Sequence, residues 1–329
     1  MESSPVLSVI VPVYNEKDNI QPLGERLFPV LGTLNLSFEV LFVDDGSNDG
    51  TKETIWQMHQ VFPAIGYLSL SRNFGHQTAL LAGLQHARGS LVITMDGDLQ
   101  HPPEVIPELI NKARAGYDIV NTKRTDPAVT SWQKKYSSRL YYRLLRWLSD
   151  MPVPPAGADF RLMTRCTVDA FLSIEERDRF NRGLITWMGF RQAIVPFQAE
   201  ARHSGQSKYS WGKMIGFGLK GLTSFSARPL SIAFYSGVII SGLGFAYGVY
   251  ALAQYFRGET IPGWTSTQLT LLIIGGVILL NLGIMGEYLA RVFLEVKRRP
   301  FYFIRDEITP QWTSDNQTSN DERKTKEKK

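Results

Sequence analysis

Val92-Ile93-Thr94-Met95-Asp96-Gly97-Asp98-Leu99-Gln100-His101-Pro102-Pro103-Glu104 is an apolar, β-branched run that ends in two carboxylates one residue apart, then an amide and a Pro-Pro brake. Buried parallel strands read as such runs, and α/β proteins place their chemistry just beyond the carboxyl ends of the strands. Gly97 lets the backbone turn, so Asp96 and Asp98 can point their oxygens into one crevice. Two hard oxygen ligands suit Mg²⁺ or Mn²⁺ held jointly by protein and phosphate groups. The competing reading is an Asp-Gly turn that caps the next helix, because Asp-x-Asp is short and common. The rest of the chain decides between the two.

Four more runs of the same kind surround this one. Leu7 to Val13 leads into Tyr14-Asn15-Glu16; Phe38 to Val43 ends in Asp44-Asp45-Gly46-Ser47-Asn48-Asp49-Gly50-Thr51; Ile65 to Leu70 leads to Asn73 and His76; Asp118 to Thr122 ends at Lys123-Arg124. Helical stretches through Leu31, from Thr51 to Val61, from Gln77 to Ala87 and from Pro103 to Gly116 lie between them. Such alternation predicts a doubly wound, mainly parallel sheet with right-handed crossovers. One or two polar clusters at strand ends are turn chemistry, whereas five on one edge make a site. Further on, Asp159-Phe160-Arg161 heads a stretch expected to re-enter the sheet, and the competing role for Asp159 is an ion pair with Arg161 or Arg165 or a helix cap. Arg177 to Arg191 reads as a basic helix and Ile194 to Phe197 as another strand.

No Gly-x-Gly-x-x-Gly follows the first strand and no Gly-x-x-x-x-Gly-Lys-[Ser/Thr] occurs, so hydride transfer and ATP hydrolysis lose support. With 329 residues, 43% of them hydrophobic, the chain can hold one large domain or two smaller units. The single cysteine, Cys166, cannot form a disulfide within the chain, which suits a reducing compartment, and it reads as a small buried hydrophobe. Met1-Glu2-Ser3-Ser4-Pro5 lacks the basic and apolar regions of a cleaved signal peptide.

Between Leu230 and Phe256 there is no charged residue, and the same holds from Thr260 to Gly286. Each run exceeds the roughly 20 apolar residues needed to cross about 30 Å of hydrocarbon. The connecting loop is short and carries only Arg257 as a cation, while Lys208, Lys213, Lys220 and Arg228 precede the first span and Arg291, Lys297, Arg298 and Arg299 follow the second. The positive-inside rule then places the amino-terminal half and both termini in the cytoplasm, on a bacterial inner or plasma membrane. Glycines and serines in both spans permit packing against a second copy. The expected layout is a soluble domain over 1–208, an interfacial amphipathic helix over 209–228, a hairpin over 229–295 with spans at about 230–256 and 266–290, and a tail over 296–329 that is disordered at its end.

Two basic stretches remain. Ser131 to Leu148 interleaves Trp132, Lys134, Lys135, Arg139, Arg143 and Arg146 with aromatics, a pattern suited to a membrane surface or an anionic ligand. Arg202-His203-Ser204-Gly205-Gln206-Ser207-Lys208 offers a guanidinium fork, a mobile ammonium and small hydroxyls, a plausible phosphate clamp. Nucleic acid fits neither, since the aromatics lie beside membrane spans rather than on a stacking platform.

Ser8 to Glu16, Val43 to Thr51 and Met95 to Glu104 together resemble the family 2 glycosyltransferases of the GT-A fold. Asp98-Leu99-Gln100-His101-Pro102-Pro103-Glu104, Asp159-Phe160-Arg161 and Arg202-x-x-Gly205-x-Ser207-Lys208-Tyr209 are similar more narrowly to the polyprenyl-phosphate sugar transferases, and the paired spans match the bacterial glucosyltransferase-like branch. The resemblance implies that Pro12, Tyr14, Glu16, Val43 and Asp45 line the nucleobase and ribose pocket, with Asp44 nearby. It puts Asp96 and Gly97 beside the ribose or diphosphate, and Asp98 and Gln100, with Asp96, on a divalent metal, Mg²⁺ or Mn²⁺. Arg124, Arg139, Arg202, Ser207 and Lys208 would surround the acceptor phosphate or the leaving diphosphate. Asp159, Asp98 and Arg202 would carry catalysis, Asp159 as a base or as an orienting group.

The implied reaction is displacement of UDP from a UDP-sugar by the phosphate of a polyprenyl phosphate, with inversion. Rivals are a GDP-mannose donor, a UDP-linked aminoarabinose donor, and a non-catalytic membrane scaffold that keeps a sugar-nucleotide fold. A processive polysaccharide synthase is disfavoured because no Gln-x-x-Arg-Trp occurs.

Overall fold

The computed structural model describes residues 5–125, 159–177, 179, 181–198, 228–258 and 263–311. The chain divides into two compact units. One is built from Met1–Ser131, Pro154–Lys208 and Arg299–Lys329, the other from Trp132–Val153 and Tyr209–Arg298.

The first unit is an α/β domain. Its described elements in chain order are β1 (Leu7–Val13), α1 (Lys17–Thr33), β2 (Phe38–Asp44), α2 (Thr51–Val61), β3 (Ile65–Leu70), α3 (His76–His86), β4 (Leu91–Thr94), a 3₁₀ turn (Pro103–Val105), α4 (Ile106–Arg114), β5 (Ile119–Arg124), β6 (Arg161–Thr164), α5 (Arg165–Leu172), α6 (Asn181–Trp187), β7 (Gln192–Phe197) and β8 (Ile304–Ile308). They form one sheet in the order β7-β5-β6-β4-β1-β2-β3-β8. Every residue of β1 and of β3 is buried, because helices cover both faces, and this is why those strands read as continuous apolar runs without alternation.

The expected mainly parallel sheet is present. β1 runs parallel to β2 and β4, β2 to β3, and β5 to β7. β6 enters antiparallel between β4 and β5, so those two strands still share a direction. The carboxyl ends of β1 to β5 therefore open on one edge. An antiparallel strand starts where its parallel neighbours finish, so β6 brings its leading residues, Asp159 and Phe160, to that same edge.

Helix α3 lies unusually close to the sheet at Gly83. A Cβ there would come within 2.3 Å of Ile10 Cγ2 and 3.1 Å of Val43 Cγ2. Glycine is required by this close approach rather than by any turn.

β8 is absent from the sequence expectation, which treats this region as tail. It pairs antiparallel with the edge strand β3. Lys52 Nζ bonds Asp306 Oδ2 at 2.8 Å, the Ser71 N–H donates to Phe303 O, and the Gln311 N–H donates to Pro63 O. An edge that would present a row of unpaired backbone groups is thereby closed. The expected helix over Arg177 to Arg191 is shorter than its composition suggested, only α6. Cys166 is exposed, against the expectation of a buried residue, because it sits on the outer face of α5 while Thr167, Val168 and Phe171 face inward.

The second unit contains α7 (Arg228–Phe256) and α8 (Trp264–Val296). Within them, Ala233–Phe256 and Leu269–Val296 are long and apolar enough to cross a membrane. Between the two helices, Ser236 Oγ, which donates to Ala233 O at 2.8 Å, also lies 3.4 Å from Asn281 Oδ1. The amphipathic segments over 131–148 and 209–228 and the tail beyond residue 311 lie outside the described residues, apart from Arg228 at the start of α7.

Candidate active site

The first two loops on the carboxyl edge are laced together. The Asn15 N–H donates to Ser47 Oγ at 2.9 Å and the Asn48 N–H returns to Asn15 Oδ1 at 3.0 Å. Asn15 takes a left-handed φ of 54°, which asparagine tolerates better than most residues. The Glu16 N–H donates to Thr51 Oγ1, Asn19 Nδ2 donates to Glu16 Oε2, and the Lys17 N–H donates to Asp49 Oδ2. Tyr14, at 46% exposure, stands out of this frame. Pro12 and Val43 are paired in register inside the sheet; Val43 has no exposed surface, so it can shape a pocket only from beneath.

Both carboxylates of the Asp44-Asp45 pair hold neighbouring loops. Asp44 Oδ1 accepts the Ser47 N–H at 2.7 Å and Oδ2 accepts the Tyr67 hydroxyl at 2.7 Å. On its far side Asp44 borders a polar cavity of about 290 Å³ lined also by Thr51, Lys52, Ser69 and Arg305. Asp45 reaches across to the β3–α3 loop, where its two oxygens accept the Phe74 and Gly75 N–H groups at 2.7 and 2.8 Å. Burial pushes the Asp45 carboxyl up, and those two amides only partly offset it. Gly46, at φ 79°, packs against the same loop, since a Cβ there would lie 2.7 Å from the Arg72 carbonyl carbon. The entry to α3, and with it His76, is thus held by Asp45.

The opening motif forms the centre of the edge. The Met95 N–H donates to Ile10 O, prolonging the β1–β4 ladder to the motif itself. Gly97 packs on β1, where a Cβ would stand 2.9 Å from Val13 Cγ1. Asp98 Oδ1 accepts the Gln100 N–H at 3.1 Å, and Leu99 between them is buried with a left-handed φ of 64°. A bulky residue in that region is strained, and such strain gathers where a backbone must present ligands. The Asp96 N–H donates to His101 Nδ1 at 2.9 Å. His101 is stacked on Phe160 and edge-on to Phe197, and burial holds its pKa down, which agrees with a neutral ring accepting at Nδ1. Asp96 Oδ1 is buried and makes no hydrogen bond.

Asp159 lies beside this motif because Thr94 is in register with Arg161, and Thr94 Oγ1 donates to the Asp159 carbonyl at 2.5 Å. Its carboxylate is crowded with donors. Arg161 Nη2 reaches Oδ1 at 3.1 Å; Arg182 makes a fork, Nε to Oδ1 at 3.0 Å and Nη2 to Oδ2 at 2.9 Å; Gln77 Nε2 reaches Oδ2 at 3.4 Å. His76 Nε2 sits between two carboxylates, 3.4 Å from Asp96 Oδ1 and 3.7 Å from Asp159 Oδ2. Burial opposes ionisation of Asp159, but His76 and the two guanidinium groups outweigh it and hold the carboxyl far below the usual range. Burial and Arg182 oppose protonation of His76, but Asp159 and Asp96 outweigh them and raise its pKa.

Asp96, Asp98, Gln100 and Asp159 are therefore brought to one edge, as are Tyr14 and Glu16. Arg124 ends β5 there and is exposed. Arg139, Arg202, Ser207 and Lys208 lie outside the described residues. The ion pair weighed for Asp159 with Arg161 is made, whereas Arg165 turns instead to the Ala87 and Gly89 carbonyls. Sequence reasoning missed Arg182 and the roles of Gln77 and His101. Only Arg161 had a local signal, two residues along the same strand face. Arg182 is 23 residues from Asp159 on a separate helix, with nothing in its spacing to mark it.

Among the described residues no three His, Cys, Asp or Glu side chains are grouped as metal ligands. Two carboxylates, one with an unused buried oxygen, still fit a Mg²⁺ or Mn²⁺ ion whose remaining ligands come from a bound diphosphate.

Residues 8–170 match the model of glycosyl transferase family 2. A glycosyltransferase of Synechocystis sp., itself uncharacterized, is 42% identical over 91% of this chain and 95% of its own length. The bactoprenol glucosyl transferase of Shigella phage SfII is 36% identical over 91% and 97%. Among solved structures, a Pyrobaculum calidifontis mannosyltransferase in complex with GDP-mannose and Mn²⁺ aligns at a TM-score of 0.45 and 19% identity, over 85% of this chain and 88% of that one. From the relatives that match it nearly end to end, together with the family match over residues 8–170, the chain, with its eight-stranded α/β sheet, belongs to glycosyl transferase family 2.

Proposed function

We propose that the protein is a membrane-bound, inverting glycosyltransferase that moves glucose from UDP-glucose to the phosphate of a polyprenyl phosphate. The observation that carries this reading is the acidic edge around Asp96 and Asp98 on a chain whose end-to-end relatives include bactoprenol glucosyl transferases. Two helices long and apolar enough to span a bilayer support a lipid acceptor.

Asp96, Asp98 and Gln100 are the residues that would hold Mg²⁺ or Mn²⁺, and the ion, when bound, supplies positive charge to the departing diphosphate. The laced Asn15–Asn48 and Asp45–Gly75 loops give the donor a rigid floor, so little reorganisation is needed on binding. An acceptor oxygen attacks the anomeric carbon, the bond from that carbon to the diphosphate oxygen breaks, and UDP leaves. A phosphate monoester with a second pKa of about 6 is already largely ionised at neutral pH. No proton has to be removed, and Asp159, pinned as a carboxylate, orients its neighbours instead of acting as a base. The catalytic half faces the cytoplasm, where sugar nucleotides are available.

The test mixes membranes carrying the full chain with radiolabelled UDP-glucose or GDP-mannose, with and without Mg²⁺. Metal-dependent label from UDP-glucose in organic-extractable lipid is the expected result. Label from GDP-mannose alone would reassign the donor, and no lipid label from any sugar nucleotide would favour a non-catalytic scaffold.

A further inference from the structure

The chain beyond α8 does more than close a sheet edge. From Phe301 to Gln311 it is bound to the α/β domain at successive points. Tyr302 Oη donates to Gln85 Oε1 on α3, Phe303 O accepts the Ser71 N–H, Ile304–Ile308 pairs with β3, and the Gln311 N–H donates to Pro63 O. At the leading end two guanidinium groups lie over the Phe301 ring, Arg177 Cζ at 5.5 Å and Arg179 Cζ at 5.6 Å from its centroid. Both distances are within the reach of a cation–π contact.

Arg179 ties this ring to the connection between α5 and α6. Its Nη2 donates to the Phe171 and Ile174 carbonyls, where the end of α5 leaves acceptors without helical partners. Its Cζ also lies 4.8 Å from the Phe171 centroid, and its buried Nε makes no hydrogen bond. A buried donor without an acceptor is costly, and aromatic faces stabilise the cation that carries it.

Three residues on, Arg182 makes its fork to Asp159, Nε to Oδ1 at 3.0 Å and Nη2 to Oδ2 at 2.9 Å. Asn181, 2% exposed, donates to the Gln77 carbonyl in the first turn of α3, next to His76. A two-point fork tolerates little displacement, since both donors must stay in line with one carboxylate. The start of α6 is thus held by Asn181 on α3 and, through Arg179, by Phe301.

We propose that Phe301 is a positioning residue for sugar transfer: its ring fixes Arg179, Arg179 fixes the start of α6, and α6 aims Arg182 at Asp159. The effect on turnover rests on the function proposed above, whereas the effect on α6 does not.

Full-length protein in detergent is assayed with UDP-glucose, Mg²⁺ and undecaprenyl phosphate, and amide hydrogen exchange is followed over α6. Phe301→Leu keeps apolar bulk and loses the π face; Phe301→Tyr keeps both. The expected kcat falls about ten-fold in Phe301→Leu and returns to within about two-fold of wild type in Phe301→Tyr, with the Kd for UDP unchanged in both. Exchange over Asn181–Trp187 should quicken in Phe301→Leu, while exchange over β1 stays as in wild type. Arg182→Lys already lacks the fork, so adding Phe301→Leu to it should cost little further kcat. Fully multiplicative losses in that pair, no recovery in Phe301→Tyr, or lost UDP binding in Phe301→Leu overturns the assignment. Quickened α6 exchange in a protein that transfers no sugar would sink the proposed reaction and leave the hold of Phe301 on α6 standing. Sugar transfer with equal kcat in wild type and Phe301→Leu would do the reverse.

Discussion

Replacing Asp159 by Asn keeps the size of the side chain and removes its charge, leaving two guanidinium groups facing an amide. Arg161 and Asp159 are both nearly inaccessible, at 6% and 9% of their side chains. Breaking a buried pair by neutralising one partner costs about 3–5 kcal/mol. The Arg182 contact adds less, because that side chain is screened by solvent. At about 2–4 °C per kcal/mol for a domain of this size, the catalytic unit of Asp159→Asn should melt about 6 °C or more below wild type. With the donor resting on the Asn15–Asn48 and Asp45–Gly75 loops as proposed, UDP binding should persist while most turnover is lost. The pH dependence follows from the direction of the shift. A carboxyl whose folded pKa is depressed contributes stability that is present above its unfolded value, about 3.9, and is lost as pH falls through the folded value. The Arg161 and Arg182 pairs therefore hold from pH 8 to pH 5 and fail only in stronger acid, while His76, whose pKa Asp159 raises, widens the gap in melting temperature as it protonates on the way down through that range. Differential scanning fluorimetry across that range reads it directly. A gap that shrinks between pH 8 and pH 5, or a variant that melts with wild type, would refute the picture of a pinned carboxylate; lost UDP binding would refute its separation from the donor site.

Chelation with EDTA should abolish sugar transfer, with Mg²⁺ or Mn²⁺ restoring it, and Asp96→Asn should weaken metal-dependent UDP binding measured by calorimetry, since it neutralises a carboxylate at the strand edge whose buried Oδ1 makes no hydrogen bond. Gly83→Val should destabilise the domain by about 1–3 kcal/mol in a urea titration, because Ile10 and Val43 leave no room beneath α3 for a Cβ. Deleting residues 299–329 strips β8 from β3 and opens the sheet edge; size-exclusion chromatography should show aggregation and the melting temperature should fall.

Much of the architecture was legible in local pattern. Side-chain period and turn residues located β1 to β5, and the polar residue types at their ends marked a single working edge, because parallel strands deliver their carboxyl ends together. The same logic reached Asp159, since a strand re-entering beside β4 has to start at that edge. β8 escaped notice because Ile304-Arg305-Asp306-Glu307-Ile308 is too charged to read as a buried strand. An edge strand with one neighbour can carry charge, and its pairing comes from a partner more than 200 residues away.

The opening motif alone establishes that carboxylates follow a buried strand, and the two apolar runs alone establish helices of membrane-crossing length. Division of labour among the carboxylates came only from the tertiary structure. Asp44 and Asp45 look like ligands in the sequence and each also holds a loop through hydrogen bonds, while the buried Oδ1 of Asp96 makes no hydrogen bond and has His76 Nε2 at 3.4 Å. Asp159 looks like a base and is locked as an anion by Arg161, Arg182 and His76, which meet only because β6 slots antiparallel between β4 and β5 and α6 packs beside it. Protonation and ligand capacity depend on every charge within a few ångströms, and for these residues the neighbours come from four separate segments of the chain.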